Sequence, residues 1–384
     1  MQQVERNYMI DYVKCFAIFF VVTIHSNTVK GVELGTVNGD EVNFIINTIA
    51  RFAVPFFFVV SGYLFVQKLN KIQLSHPEAV FKRQTQYVRK YIVKLVKLYV
   101  AWFAFYFLFE LVLRFIETEK NGTALKNMFT DYIGNFDWWN AIYLGSRWPE
   151  YHLWFLPALI WAIVLLYVFM QVRLMRVVLV VSLGFNLFGL FGQSYSFIYD
   201  VSLNTRDTLF FALFYVMLGG IAAKYEPAVT AFAKKIPTRI AIICLASLFI
   251  MQVLEGFITL QVFDGKAENY FLSTIPLVLF LFLLVLQHSQ VGKGTLFAKI
   301  GANAVGIYVS HVFIMESIRI MMQRLDLVSV EHTVLWKIVL TPMVFIIAYL
   351  FYNRLQFGKK FIRSAIVGKK SSWIRVKGGK PEYQ

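Results

Sequence analysis

The chain has 384 residues, 58% of them hydrophobic and 16% charged, with 38 Lys plus Arg against 22 Asp plus Glu. So apolar a composition, falling in long runs rather than short alternating ones, excludes a soluble protein. The formal charge of +16 raises nucleic acid as a partner, but almost all of the excess sits in two segments, which suits anionic lipid headgroups better.

Runs near the 20-residue length of a bilayer span are expected at about 9–28, 43–66, 95–113, 152–172, 176–193, 207–223, 239–261, 270–287, 303–321 and 334–352. The fold class is therefore all-α, a polytopic membrane protein of ten transmembrane helices. A β-barrel would need segments of alternating polarity, which stretches such as 275–286 and 161–170 do not show. Residues 67–97 hold eight basic residues against Glu78, and the tail from Arg354 holds nine against Glu382. With ten alternating helices both segments fall on one side, while the loop 29–42 on the other is mildly acidic. This is the positive-inside pattern, and it places both termini in the cytoplasm. The expected organisation is a membrane domain over 1–352 and a basic cytoplasmic tail over 353–384, with no soluble domain appended. The first apolar stretch lacks a small-residue cleavage site and is read as a retained helix rather than a signal peptide. Cys15 and Cys244 both fall in expected spans, which implies neither a disulfide framework nor a metal site. No internal repeat stands out, which weakens an inverted-repeat transporter architecture.

The first span contains Asp11, Lys14 and, eleven residues further on, His25. Eleven residues at ~100° each return a helix to within about 20° of its starting direction, so Lys14 and His25 share a face about 16 Å apart along the axis. Ionisable groups at bilayer depth cost several kcal/mol unless they face protein, water or ligand, so the stripe marks a candidate site. The second span runs inward from Arg51 through Pro55 to Ser61 and Gly62, where proline and the Ser-Gly pair loosen the helix and permit close packing. Segment 67–94 reads as an amphipathic or interfacial helix leading into the third span. Segment 114–151 ends in Trp138, Trp139, Tyr143, Trp148 and Tyr151, interrupted by Gly145 and Pro149; such a cluster suits an interfacial belt or a platform for sugar rings. The fourth span opens with His152 and Trp154 at the outer boundary. The ninth carries Tyr308 and His311, three residues apart on one face and about a third of the way across from the inner end.

Each residue also has a structural reading. Lys14 can snorkel to the interface, Arg51 can neutralise Glu110, His152 can anchor at the boundary, and His311 can be a neutral histidine bonded across helices. The conjunction of several intramembrane basic or titratable groups with few acids instead suits an anionic ligand threaded among the helices.

The Lys14 to His25 spacing preceded by Asp11, the Pro-Phe-Phe-Phe-Val-Val-Ser-Gly stretch after Arg51, His152-Leu-Trp-Phe-Leu-Pro, and Gly-Ile-Tyr-Val-Ser-His ending at His311 together resemble the acyltransferase 3 family of bacterial integral membrane proteins. The resemblance covers about residues 9–352. It implies transfer of an acyl group, usually acetyl from cytoplasmic acetyl-CoA or another acyl-CoA, to a hydroxyl or amine of a cell-envelope polysaccharide or its lipid-linked precursor, in the bacterial plasma membrane and with no metal. Lys14 stands where the family more often has Arg, and a lysine is a point charge that cannot form the bidentate clamp of a guanidinium. In this frame His25 is the base or nucleophile. Arg51 binds donor phosphate or stabilises the tetrahedral oxyanion. Lys14, with Arg83 or Arg89, grips the CoA phosphates, since the distance from Lys14 to His25 resembles an extended pantetheine arm. Asp11, Ser61, His152, Trp154, Tyr308 and His311 are the acceptor-side or supporting residues. Two alternatives stay open: export of a surface polysaccharide such as poly-N-acetylglucosamine, and a membrane domain for small-molecule sensing or uptake. Nothing in the outer loops encodes the acceptor's identity or the oligomeric state.

Overall fold

The computed structural model describes residues 6–134, 136–145, 151–266 and 270–377, with the side chains of residue 151 and of 360–377 outside that description. The chain is an all-α polytopic membrane protein. Among the described residues eight helices are long and apolar enough to cross a bilayer, and a bent pair makes a ninth if it is one span. All ten expected runs fall on helices; the run 270–287 becomes Thr274–Gln287, whose 14 residues are short of a full span.

Helix α1 (Tyr8–Ser26) starts under an Asn7 side-chain cap and ends at Asn27 in the left-handed conformation. A two-residue antiparallel hairpin, Glu33–Leu34 with Val37–Asn38, precedes α2 (Gly39–Ala50). Helix α3 (Ala53–Ser75) continues almost in line with α2, and the break falls at Arg51 and Phe52. Its cause is Pro55, which has no N–H to offer the Arg51 carbonyl four residues earlier. At Gly62 a Cβ would strike the Val216 carbonyl of α8 (Leu213–Lys224), and at Gly219 of α8 a Cβ would strike the Val59 carbonyl of α3. This reciprocal pair of glycines lets the two backbones touch, the close packing expected around Ser61 and Gly62.

The segment 67–94 is not a separate interfacial helix. Its first part is the end of α3, and after a turn at His76 and Pro77 the rest is the start of α4 (Val80–Glu117). At 38 residues α4 is about 57 Å long, well beyond a bilayer core of about 30 Å. Segment 114–151 also contains a helix that hydropathy does not announce, α5 (Gly122–Gly134), tied to α4 by the Tyr132 hydroxyl, which donates to the Phe107 carbonyl at 2.6 Å. Of the aromatic cluster there, Trp138 and Trp139 are exposed, while Trp148 and Pro149 lie outside the described residues.

Helices α6 (Phe155–Gln171) and α7 (Met175–Gly189) follow. A π-helical turn, Thr208–Ala212, leads into α8, which is bent by 93° from α9 (Glu226–Lys235). Beyond α10 (Thr238–Gly256) and α11 (Thr274–Gln287) comes the seven-residue α12 (Leu296–Ala302), lying along α1. There Gly301 sits against the Asp11 carbonyl. A kink at Asn303 starts α13 (Ala304–Arg324), and the short α14 (Val328–Glu331) precedes α15 (Val334–Lys377). Gly306 of α13 is covered by the ring of Tyr352, and Lys71 of α3 shares a cavity with Arg6. Both basic segments therefore leave the bundle at the end where α1 begins, as the charge pattern requires.

Candidate functional site

The two ends of α1, about 28 Å apart for 19 residues, carry two different polar assemblies. At the first, Asp11 accepts from Lys14 at 3.1 Å and from Arg6 at 2.6 Å. Lys14 is held by a neighbouring carboxylate one turn away rather than snorkelling. A cavity of about 350 Å³ beside them is lined by Arg6, Asp11, Tyr63, Gln67 and Lys71. The Glu226 carboxylate at the head of α9 accepts from Tyr63 at 2.8 Å and from Gln67 at 3.2 Å, tying the bent helix to this end. Arg83 and Arg89 are exposed on the projecting part of α4.

At the other end, three histidines from three helical segments meet. The His25 and His311 rings lie 5.0 Å apart between centroids, His152 and His311 5.3 Å, and His25 and His152 6.3 Å. His152 is no boundary anchor: it is 1% exposed, because the short turn before α6 turns its ring inward against Tyr106, 5.0 Å away. His311 lies deeper along the bundle than hydropathy places it. Helix α12 occupies the first part of the path along α1, so α13 begins partway across and carries His311 up to His25.

His311 is bonded within its own helix rather than across helices. Its Nδ1 lies 2.7 Å from the Tyr308 carbonyl and 3.2 Å from that of Ile307. Carbonyl oxygens only accept, so Nδ1 carries the proton and Nε2 presents a lone pair. That Nε2 is buried and has no hydrogen-bond partner among the described residues. Two tyrosines hold the cluster. The Tyr308 hydroxyl donates to the His152 carbonyl, so Tyr308 fixes both histidines. The Tyr106 hydroxyl enters the ladder of α13, donating to the Val309 carbonyl at 2.9 Å and accepting from the Phe313 N–H at 3.1 Å. Sequence reasoning missed Tyr106, since it sits in a Phe-rich run whose hydropathy conceals one hydroxyl.

Beside the histidines lies a cavity of about 260 Å³ lined by His25, Asn47, Arg51, Trp154, Arg206 and Phe211, among others. Arg51 reaches it from the break between α2 and α3 and donates to Asn47 at 2.6 Å. It does not neutralise Glu110, which is paired with Arg114 at 2.8 Å. Arg206 lies over the Trp154 ring, 5.2 Å from its centroid. Next to it Asp207 caps the π-helical turn by accepting from the Phe210 N–H at 2.9 Å, and it accepts from Tyr143 at 3.0 Å. Arg206 was not among the residues expected from sequence; the signal was an Arg-Asp pair at the very start of an apolar run. Of the expected residues, the structure thus brings together His25, Arg51, His152, Trp154, Tyr308 and His311. Ser61 stands apart, donating to the Phe57 carbonyl at 2.7 Å, and Asp11, Lys14, Arg83 and Arg89 belong to the opposite end. Among the described residues no group of His, Cys, Asp and Glu could hold a metal ion.

Residues 7–353 match the family described as an acyltransferase domain. Two curated relatives, each described as an amino-acid racemase of Enterococcus faecalis, are 26% and 28% identical to the chain over 292 and 301 residues. Each match covers 72% of this chain but 37% and 35% of the relatives, so the chain spans about a third of their length. No solved structure matches.

Proposed function

The chain belongs to the acyltransferase domain family, and from that premise we propose that it moves an acyl group, acetyl being the simplest, from a cytoplasmic acyl-CoA to a hydroxyl or amine of a cell-envelope polysaccharide or its precursor in the bacterial plasma membrane. The observation that carries this reading is the His25, His152 and His311 cluster beside a cavity lined by two arginines. Acyl transfer from a thioester needs a base for the acceptor and a positive or donor group for the oxyanion.

In the proposed reaction His25 takes the proton of the acceptor O–H or N–H as that atom bonds to the thioester carbonyl carbon. Arg51 faces the negative charge that develops on the carbonyl oxygen. The tetrahedral intermediate then collapses, the C–S bond breaks, and the thiolate leaves as CoA, taking the proton from His25. His311, with its proton fixed on Nδ1 and its ring centroid 5.0 Å from that of His25, packs against the base and so limits its orientation. His152 and Trp154 face the acceptor, with Tyr308 holding His152. Donor phosphates are assigned to the basic end, to Lys14 with Arg83 or Arg89; Arg6 and Lys71 line the cavity there. The test is a strain whose envelope glycans are analysed for ester-linked and amide-linked acyl groups. Loss on deletion, restored by the wild-type chain and not by a stably expressed His25→Ala, supports the reading; wild-type acyl content with His25→Ala ends it.

The relatives favour a second reading. Both are described as amino-acid racemases, and only about a third of each aligns with this chain. On this reading the membrane domain takes up or senses an amino acid in the same cavity. It predicts uptake of labelled amino acid into proteoliposomes and no change in envelope acyl content on deletion.

A further inference from the structure

The end of the bundle where α1 begins carries a further polar feature, at the corner where α8 meets α9. Tyr225 is the residue at the 93° bend, and its half-buried ring gathers two cations. The Arg176 guanidinium lies 5.1 Å from the ring centroid and donates to the Tyr225 hydroxyl at 2.5 Å; the Lys224 ammonium lies 5.8 Å from the same centroid. Both side chains are exposed, and exposed Arg173 in the turn before α7 brings a third charge to the same rim. Among the described residues neither Arg176 nor Lys224 is in an ion pair, and the carboxylate next in sequence, Glu226, is turned away to Tyr63 and Gln67 of α3. Two like charges held against one ring repel each other, and an anion between them relieves that repulsion. Arg176 also stands in the first turn of α7, so helical spacing sets what lies beyond it on the same face. Val177, Val180, Val181, Leu187 and Phe188 are all exposed along that face, and Gly184 lies among them with open space where a Cβ would point. From Arg176 to Phe188 this apolar wall is about 18 Å long, close to half of a bilayer core of about 30 Å. A soluble anion needs only the charges. The charges and the wall together fit a molecule that is anionic at one end and apolar along its length.

We propose that Arg176 and Lys224, set on Tyr225, hold the phosphate of one anionic phospholipid in the leaflet at the basic end, with an acyl chain laid along the exposed face of α7. The guanidinium fork takes two phosphate oxygens, and the ammonium is a point charge for a third. Anionic headgroups gain about 1 kcal/mol for each basic residue at the membrane surface, and here two such residues are fixed by one ring. The bound lipid ties the start of α7 to the corner that begins α9. That corner carries Glu226, whose partners Tyr63 and Gln67 line the cavity beside Asp11. The lipid site rests on this corner and on α7, and it does not depend on the acyl-transfer reading.

The test is native mass spectrometry of the purified full-length chain in an uncharged detergent, titrated with three probes: phosphatidylglycerol, zwitterionic phosphatidylcholine of the same chain length, and water-soluble glycerol phosphate. The expected result is a tightest-bound phosphatidylglycerol, with phosphatidylcholine and glycerol phosphate each at least about tenfold weaker. Arg176→Gln with Lys224→Gln should weaken that lipid by about tenfold or more. Tyr225→Phe, which keeps the ring and loses the hydroxyl that holds Arg176, should fall between wild type and the double variant. Lys82→Gln with Lys90→Gln removes two exposed charges from the projecting start of α4 and should leave the tightest-bound lipid within about twofold of wild type. Phosphatidylcholine held as tightly as phosphatidylglycerol would overturn the proposal, as would glycerol phosphate bound as tightly as the lipid. So would equal losses in the two double variants, or an Arg176→Gln, Lys224→Gln chain that binds like wild type. The comparison of the three probes on the wild-type chain holds even if that double variant fails to fold. No acyl donor or envelope measurement enters, so the lipid site and acyl transfer stand or fall separately.

Discussion

Replacing Gly62 by Ala tests the contact on which the bundle turns. A methyl group there would lie 2.9 Å from the Val216 carbonyl carbon and 3.1 Å from its Cα, and closer still to the oxygen. All three atoms are backbone, so no rotamer change relieves them, and α3 and α8 must separate. Ordinary carbon contacts lie at about 3.5–4.0 Å, so the shift is on the order of 1 Å along a tightly packed pair. Overpacking of this kind costs about 1–3 kcal/mol, and backbone contact puts Gly62→Ala near the upper end, about 3 kcal/mol. Gly184 in α7 provides the contrast, since a Cβ there meets nothing within 4 Å. Gly184→Ala keeps only the gain in helix propensity, up to about 1 kcal/mol of stabilisation. Titration of both variants with SDS in mixed micelles, followed by far-UV circular dichroism, should move the two midpoints in opposite directions. Equal shifts of the same sign, or an unchanged midpoint for Gly62→Ala, would refute the reasoning.

Asp11→Asn strips the shared carboxylate from Lys14 and Arg6; we expect a loss of about 1–3 kcal/mol by the same titration, largely recovered in the double variant Asp11→Asn with Lys14→Met. Tyr106→Phe removes the hydroxyl that bridges Val309 and Phe313 and lets α13 close its ladder; acyl transfer should drop about tenfold or more through misplacement of His311, against a stability change of about 1 kcal/mol. His25→Gln should lower acyl transfer by about 10²–10⁴-fold, measured as labelled acetyl in envelope glycan, with the denaturation midpoint unchanged. His311→Asn, whose amide N–H can replace the Nδ1 donor while the ring lone pair is lost, should lower the same rate by a smaller factor.

The long apolar runs were legible because a bilayer span leaves a length signature that no packing detail can hide. The opposite placement of Lys14 and His25 on α1 followed from helical rise alone. What the sequence concealed were contacts between residues far apart in the chain: nothing local shows that His25, His152 and His311 share a space, since their convergence depends on the kink at Asn303 and the turn before α6. Arg206 was hidden for another reason. A single cation at the edge of an apolar run looks the same whether it faces water or a cavity, and only the ring of Trp154 beneath it tells the two apart. The basic segment 67–94 reads as one amphipathic or interfacial helix because Pro77, which splits it, lies in a stretch whose polarity suits either arrangement.

The anchoring of His311 limits how protons can travel. A ring that donates through Nδ1 to its own helix cannot flip without abandoning that bond, so whatever Nε2 accepts must leave by Nε2 again. His311 is thus a dead end for protons rather than a relay: one taken up at Nε2 returns to the cavity it came from. Proteoliposomes holding the chain should accordingly lose an imposed pH gradient no faster than those holding a His311→Asn chain, since the His311 ring carries no proton onward.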